Sequence, residues 1–217
     1  MSTRIPDRLL QPRKLPKQPR SQTTVEAILQ AAAQVFERFG YAAGTTNRIA
    51  ERAGVSIGTL YQYFPNKDAI LVALARQHLA EGAAALQPYL EALGTGVPFD
   101  RVLLGIVEAM VSLHAIAPGL HRVLFEETKL PQAFRAELDA LEERLVELTA
   151  PALAADPHTA AADPRLMARI VIGVIEGLTH RLVLQPPPGV TTNALAGEIV
   201  RLVRAYTQSQ PHGLGSP

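Results

Sequence analysis

The chain has 217 residues, 47% hydrophobic and 19% charged, which suits one large or two small domains and is too apolar for a disordered polyelectrolyte. It contains no cysteine, which excludes disulfide scaffolds, thiol catalysis and every cysteine-ligated metal site. The formal net charge of +1 conceals an asymmetry: residues 1–67 carry ten Lys/Arg against four Asp/Glu, whereas residues 68–217 carry eleven against sixteen, so only the first third suits a polyanion.

Residues 1–20 hold six basic side chains against Asp7 alone, and four prolines, so they read as a flexible basic arm. They lack the apolar segment of a secretory signal, and no run reaches the ~18 apolar residues of a membrane span. A soluble, cytoplasmic protein with no membrane partner is expected. Thr23 and Glu26 have the spacing of a capping box, and Val25, Ile28, Leu29, Ala32, Val35, Phe36 and Phe39 then recur as one helical stripe that Gly40 should stop. From residue 67 onward, prolines cut the chain into helix-length pieces, predicted at 67–86, 99–116, 118–127, 131–149, 164–184 and 192–208. Asp163 before Pro164 reads as an N-cap with proline in the first helical position. The fold is predicted all-α, with about nine helices. The expected parts are the arm over 1–20, a compact helical block over 21–67, a longer helical block over 68–210, and a flexible tail over 211–217.

Residues 45–67, TTNRIAERAGVSIGTLYQYFPNK, carry the chemistry. Thr45 can cap a short helix whose inner face is Ile49, Ala50 and Ala53. Gly54 supplies the positive φ of a sharp turn, Val55 packs beneath it, and Ser56 caps a second helix running to about Phe64. Two short helices joined by such a turn form a helix-turn-helix, whose second helix enters the major groove by its leading end. Ile57, Gly58 and Thr59 occupy that end: Ile57 suits a thymine methyl, Gly58 permits close approach, and Thr59 offers a hydroxyl. Tyr61, Tyr63 and Lys67 suit phosphate oxygens, and Thr46, Asn47 and Arg48 open the first helix at its anion-favouring end. An ordinary helical hairpin does not account for a glycine in the first turn of an exposed helix, at ~1 kcal/mol against alanine. Nor does it account for two tyrosines two residues apart, which cannot share one core stripe.

The block from Thr24 to about Leu74 resembles the DNA-binding domain of the TetR family of bacterial transcriptional regulators, above all in GY…TTNRIAERAGVSIGTLYQYFPNKDAI. Gly44 stands where many relatives have threonine, and Arg48 where many have an acidic residue. The resemblance implies three N-terminal helices that bind DNA and a longer helical domain that binds an effector and dimerises. It also implies DNA contacts by Thr46 and Asn47, recognition by Ile57, Gly58 and Thr59, and phosphate contacts by Tyr61, Tyr63 and Lys67. The function it implies is a repressor released from a palindromic operator when a small-molecule effector shifts the dimer toward a geometry that mismatches DNA.

One helix-turn-helix binds weakly, and pairing two across a dyad selects half-sites about one turn, ~34 Å, apart. Helix 164–184 offers Ile170, Val174, Gly177, Leu178 and Leu182 for that pairing, and helix 192–208 offers Leu195, Ile199, Leu202, Val203 and Tyr206. The helices between 67 and 150 would then enclose the effector, with Met110, His114, His121, Arg122, Phe125 and Glu126 as candidate pocket residues and Thr128 as a further polar group. His114 and His121, seven apart across Pro118, also suit ordinary surface or hydrogen-bonded roles.

An enzyme is not expected. GVSIG at 54–58 satisfies the nucleophile-elbow pattern, but that elbow needs a preceding strand and an α/β sheet, and NRIAERA is helical. No HExxH, no Glu-x-x-His pair and no Gly-rich phosphate loop with a following lysine occur, so no cofactor and no metal site are expected. The alternative reading is an architectural or activating DNA-binding protein without a ligand-release step, its arm lying in the minor groove.

Overall fold

The structure is a computed structural model that describes residues 10, 12–13, 18–116, 118–128 and 131–209, apart from the side chains of residues 125, 126 and 133. The described residues form nine α-helices and no strand, as the sequence predicts. These are α1 (Pro19–Ala43), α2 (Thr46–Ala53), α3 (Ile57–Tyr63), α4 (Lys67–Ala92), α5 (Phe99–Ile116), α6 (Pro118–Arg122), α7 (Gln132–Ala155), α8 (Pro164–Leu184) and α9 (Thr192–Gln208). Two compact units divide the chain: unit 1 comprises Met1–Ala80 with Ala117–Glu137, and unit 2 comprises Glu81–Ile116 with Leu138–Pro217.

Helix α1 begins a turn earlier than the Thr23/Glu26 box predicts. Pro19, with its fixed φ, sits at the start; the Gln18 N–H donates to Ser21 Oγ at 3.2 Å, and that hydroxyl donates back to the Gln18 carbonyl at 2.7 Å. Thr23 is thereby inside the helix, donating to the Pro19 carbonyl at 3.2 Å. The regular helix does break at Gly40, where φ is 71°, before one further turn to Ala43. Helices α4 and α7 run past the predicted ends, through Pro88 and Pro151. Each proline lies four residues before its helix end, so little of the hydrogen-bond ladder remains beyond it to be lost. The predicted helix 118–127 is instead one α-helical turn that widens into a π-helix over Val123–Glu127.

In unit 1, Ile28, Val35 and Phe36 of α1, Ile49 of α2, Leu60 of α3, Phe64 after it and Ile70 of α4 are all essentially without solvent exposure, and α1 packs on α2 and α2 on α3. Burying each is worth roughly 1.5–3 kcal/mol. Two described residues of the expected arm are held here: Leu10 is buried, and the Arg13 N–H donates to the Tyr63 carbonyl at 2.7 Å. In unit 2, α5 packs against α8 and α9 around Leu103, Val107, Val171, Ile175, Ile199 and Val203. Asp163 caps α8 as predicted, accepting the Arg165 and Leu166 N–H groups at 3.0 Å each. Arg165 and Arg169 of α8 pair with Glu143 of α7, and Arg169 also reaches Glu142 at 3.2 Å.

Candidate nucleic-acid interface

Local capping builds the helix-turn-helix. Thr45 Oγ1 accepts the Arg48 N–H at 3.4 Å and starts α2, which buries Ile49 and Ala50. Gly54 ends it at φ 67°, a left-handed conformation costing most L-residues roughly 1–2 kcal/mol, and the Val55 N–H closes the turn on the Ala50 carbonyl at 3.0 Å. Ser56 Oγ then accepts the Thr59 N–H at 3.0 Å and shares a 2.8 Å hydrogen bond with Thr59 Oγ1, which fixes the leading turn of α3.

That leading turn faces outward. Ile57 is 39% exposed, and Gly58 is open, a Cβ there meeting only Ser56 Oγ at 3.7 Å. Thr59 is half-buried. Tyr61 is exposed, and its hydroxyl lies 3.1 Å from Thr46 Oγ1, so the first residue of α2 and the outer face of α3 share one polar surface. Thr45 and Asn47 are exposed beside them.

Two expected phosphate ligands are differently employed. Tyr63 is buried with Leu60 on the inner side of α3, so the two tyrosines split, one outward and one into the core. Lys67 opens α4, and its ammonium donates to the Tyr41 carbonyl at 2.6 Å and the Ala42 carbonyl at 3.4 Å, 4.0 Å from the centre of the Tyr41 ring. It therefore ties down the last turn of α1, beyond the break at Gly40. Burial pushes the Lys67 ammonium pKa down, against the pull of Asp68. The Tyr41 hydroxyl donates to Asp68, and burial, that hydrogen bond and the carboxylate charge push the phenol well above its ordinary value. The Tyr41 N–H donates to Glu127 Oε2 at 3.1 Å, and Glu127 also lies 3.5 Å from the Arg122 guanidinium. Sequence reasoning missed Tyr41, Asp68 and Glu127; Glu127 is 86 residues from its partner, and no spacing signals such a pair.

The departures from the family pattern have local causes. A Cβ at Gly44 would stand 2.5 Å from the Phe36 ring, which leaves no room for threonine. Arg48 lies over the Phe39 ring at 4.3 Å, with Arg38 at 5.1 Å. Phe39, predicted on the buried stripe of α1, is 40% exposed between those cations. Gln34, Val35, Arg38, Phe39, Arg48, Glu51 and Arg52 line an open groove of about 710 Å³ between α1 and α2.

The candidate effector residues fall in both units. In unit 2, His114 on α5 is buried, its Nδ1 2.6 Å from the Met110 carbonyl and its ring 4.6 Å from that of His180. In unit 1, His121 on α6 is 1% exposed beside the ring of His78, and Arg122 is exposed and paired with Glu127. Neither histidine is a surface residue. Thr128 is spent on the Val123 and Leu124 carbonyls, at 3.0 and 3.2 Å. The side chains of Phe125 and Glu126 lie outside the described residues.

The candidate pairing residues divide by face. Leu195, Ile199 and Val203 are consumed in the core of unit 2, so they are not free for a partner. Ile170, Leu202 and Tyr206 are 37%, 49% and 38% exposed, while Val174, Leu178 and Leu182 are half-buried. A Cβ at Gly173 or Gly177 would meet nothing within 4 Å.

Comparisons with known proteins match two stretches of the chain. Residues 28–74 match the model of the bacterial regulatory proteins of the tetR family, and residues 98–206 that of the tetracyclin repressor-like C-terminal domain. The HTH-type transcriptional regulator RutR of Escherichia coli K12 is 42% identical over 66 residues, 30% of this chain and 31% of RutR. The chain thus spans about a third of that relative's length. Among solved structures, a TetR-like transcriptional regulator from Rhodococcus sp. RHA1 matches with a TM-score of 0.67 and 25% identity, over 90% of this chain and 100% of that one. FadR from Bacillus subtilis, solved in complex with stearoyl-CoA, matches in fold with a TM-score of 0.64 and 21% identity, over 83% and 97%. Among the described residues, no helix is long and apolar enough to cross a membrane.

Proposed function

The chain belongs to the TetR family of bacterial regulatory proteins, and from that membership we propose that it is a cytoplasmic, sequence-specific transcriptional repressor that leaves a palindromic operator when a small molecule binds. The observation that carries the proposal is the leading turn of α3. Ser56 holds it rigid, and it presents an exposed Ile57, an open Gly58 and a half-buried Thr59. Such a turn reads base edges in the major groove, while Thr45, Thr46, Asn47 and Tyr61 hold the flanking phosphates and set the register. Arg48 adds charge from its place over Phe39.

The protein works as a homodimer, its dyad matching the operator's, through the outward side of α8 and α9. Ile170, Leu202 and Tyr206 supply apolar surface there, and the bare Gly173 and Gly177 allow a close helix approach. The effector differentially stabilises one dimer geometry, which is the requirement for release. Since the FadR fold neighbour holds stearoyl-CoA, a long-chain acyl-CoA is the first effector to assay. Nothing in this role calls for catalysis.

Nuclease footprinting on the DNA upstream of the protein's own gene tests the reading. The expected result is protection of two half-sites about one helical turn apart, weakening as salt rises. Equal affinity for random duplex favours the architectural alternative, and absence of protection at low ionic strength overturns the proposal. Protection combined with increased transcription identifies an activator.

A further inference from the structure

Helices α4 and α6 bring two imidazoles together inside unit 1. His121, in the only turn of α6, is 1% exposed, and both its ring nitrogens are screened from solvent. His78, half-buried on α4, lies beside it with ring centroids 5.1 Å apart and planes tilted by 51°. A ring nitrogen of each lies within 4.8 Å of the other. We propose that His78 and His121 are two ligands of a binding site for a divalent late first-row transition ion of the zinc class. Its remaining coordination positions are filled by water or by donors from outside the pair.

The donor chemistry selects that class of ion. Imidazole suits zinc, copper, nickel and iron, whereas magnesium and calcium take oxygen donors, and with no cysteine in the chain histidine is its natural ligand for such an ion. The geometry needs only a small adjustment. Two bonds of about 2.0–2.1 Å to a tetrahedral zinc bring the nitrogens to roughly 3.4 Å, so the pair closes by at most about 1.4 Å. His78, the less buried partner, can make that movement by rotating its ring while α6 holds His121. The surrounding charge also tolerates a cation. Arg122, next to His121, is matched by Glu127 at 3.5 Å, and the Glu37 side chain packs against Gly119, two residues from His121.

The test needs no DNA and is therefore separate from the repressor reading. Metal-stripped full-length protein is titrated with Zn²⁺ against a chromophoric chelator, and with Co²⁺ followed by its visible d–d bands. One ion per chain is expected. His78→Ala and His121→Ala should each weaken binding at least tenfold, while His158→Ala, exposed and far along the sequence, leaves it unchanged. Because His121 is buried, its variant is read together with His78→Ala, whose half-buried position tolerates truncation, and melting curves of the metal-free proteins check that both fold. X-ray absorption should report at least two imidazoles on the bound ion. No uptake at tenfold excess Zn²⁺, or uptake unaltered in a folded His78→Ala protein, overturns the proposal.

Discussion

Replacing Ser56 by alanine should uncouple DNA reading from the fold. The hydroxyl accepts the Thr59 N–H at 3.0 Å and shares a 2.8 Å hydrogen bond with the Thr59 side chain, so the substitution frees both groups of the turn proposed to face DNA. Loss of a serine N-cap costs about 1 kcal/mol. Helix α3 has only seven residues and is anchored from its inner side by Leu60 and Tyr63, so the cost falls on its first turn rather than on the whole domain. If operator binding must restore that turn in both subunits, the dimer loses about 2 kcal/mol, roughly thirtyfold in affinity at 1.4 kcal/mol per factor of ten. Fluorescence anisotropy with an operator duplex measures this, with Ser56→Asp as a control that can accept the same N–H. A Ser56→Ala protein that binds operator within twofold of wild type refutes the coupling. So does an equal loss on operator and random duplex, since the leading turn is argued to read sequence.

Four further outcomes follow from the same contacts. Tyr61→Phe removes the hydroxyl that lies 3.1 Å from Thr46 and should weaken binding by roughly 0.5–1.5 kcal/mol on every duplex alike; sequence-dependent loss in anisotropy contradicts this. Gly44→Thr forces a Cβ within 2.5 Å of the fully buried Phe36 ring and should destabilise the protein by about 1–3 kcal/mol in urea unfolding; an unchanged midpoint refutes it. The Tyr41 phenol, raised above its unfolded value of 10.0, contributes stability that is complete below pH 10 and is lost as the pH rises beyond it; Tyr41→Phe should flatten that alkaline loss in pH-dependent melting, which separates the phenol from its neighbour Lys67. Leu202→Asp, at a half-exposed position, should leave the helical content of the chain unchanged and weaken self-association by more than about tenfold in sedimentation, because a charge would be buried in the pairing surface.

The helix-turn-helix was legible because its signals are local. Thr45, Gly54 and Ser56 each act on groups within three or four residues, and all three do in the structure what their spacing predicts. Helix ends were legible where a cap and a proline coincide, as at Asp163–Pro164, and less so at Pro88 and Pro151, where helix-forming neighbours carry the last turn past the proline. Burial direction was harder to read. Periodicity put Phe39 on the inner stripe of α1, but the break at Gly40 follows it at once, and two arginines, one from α2, make a half-exposed aromatic ring tolerable. Periodicity likewise could not divide the apolar positions of α8 and α9 between core and partner. Those helices are apolar on more than one side, and only packing against α5 shows that Ile199 and Val203 are already spent.

The least legible part is also the one that joins distant segments of unit 1. Lys67 looks like a free cation in the sequence, yet two backbone carbonyls after Gly40 take up its ammonium. Tyr41 looks like an ordinary residue after a glycine stop, yet its N–H, hydroxyl and ring are engaged by Glu127, Asp68 and Lys67 respectively. Each of these contacts fixes where α1 ends and α4 begins, and α3 is strung between those two points with only three residues separating it from Lys67. A displacement of the π-helical segment that carries Glu127 would therefore reach the start of α4 through Tyr41 without touching the caps of α2 and α3. The turn proposed to read bases can then be moved as a preformed piece, which is what a regulator requires if binding is to change while the reading element stays intact.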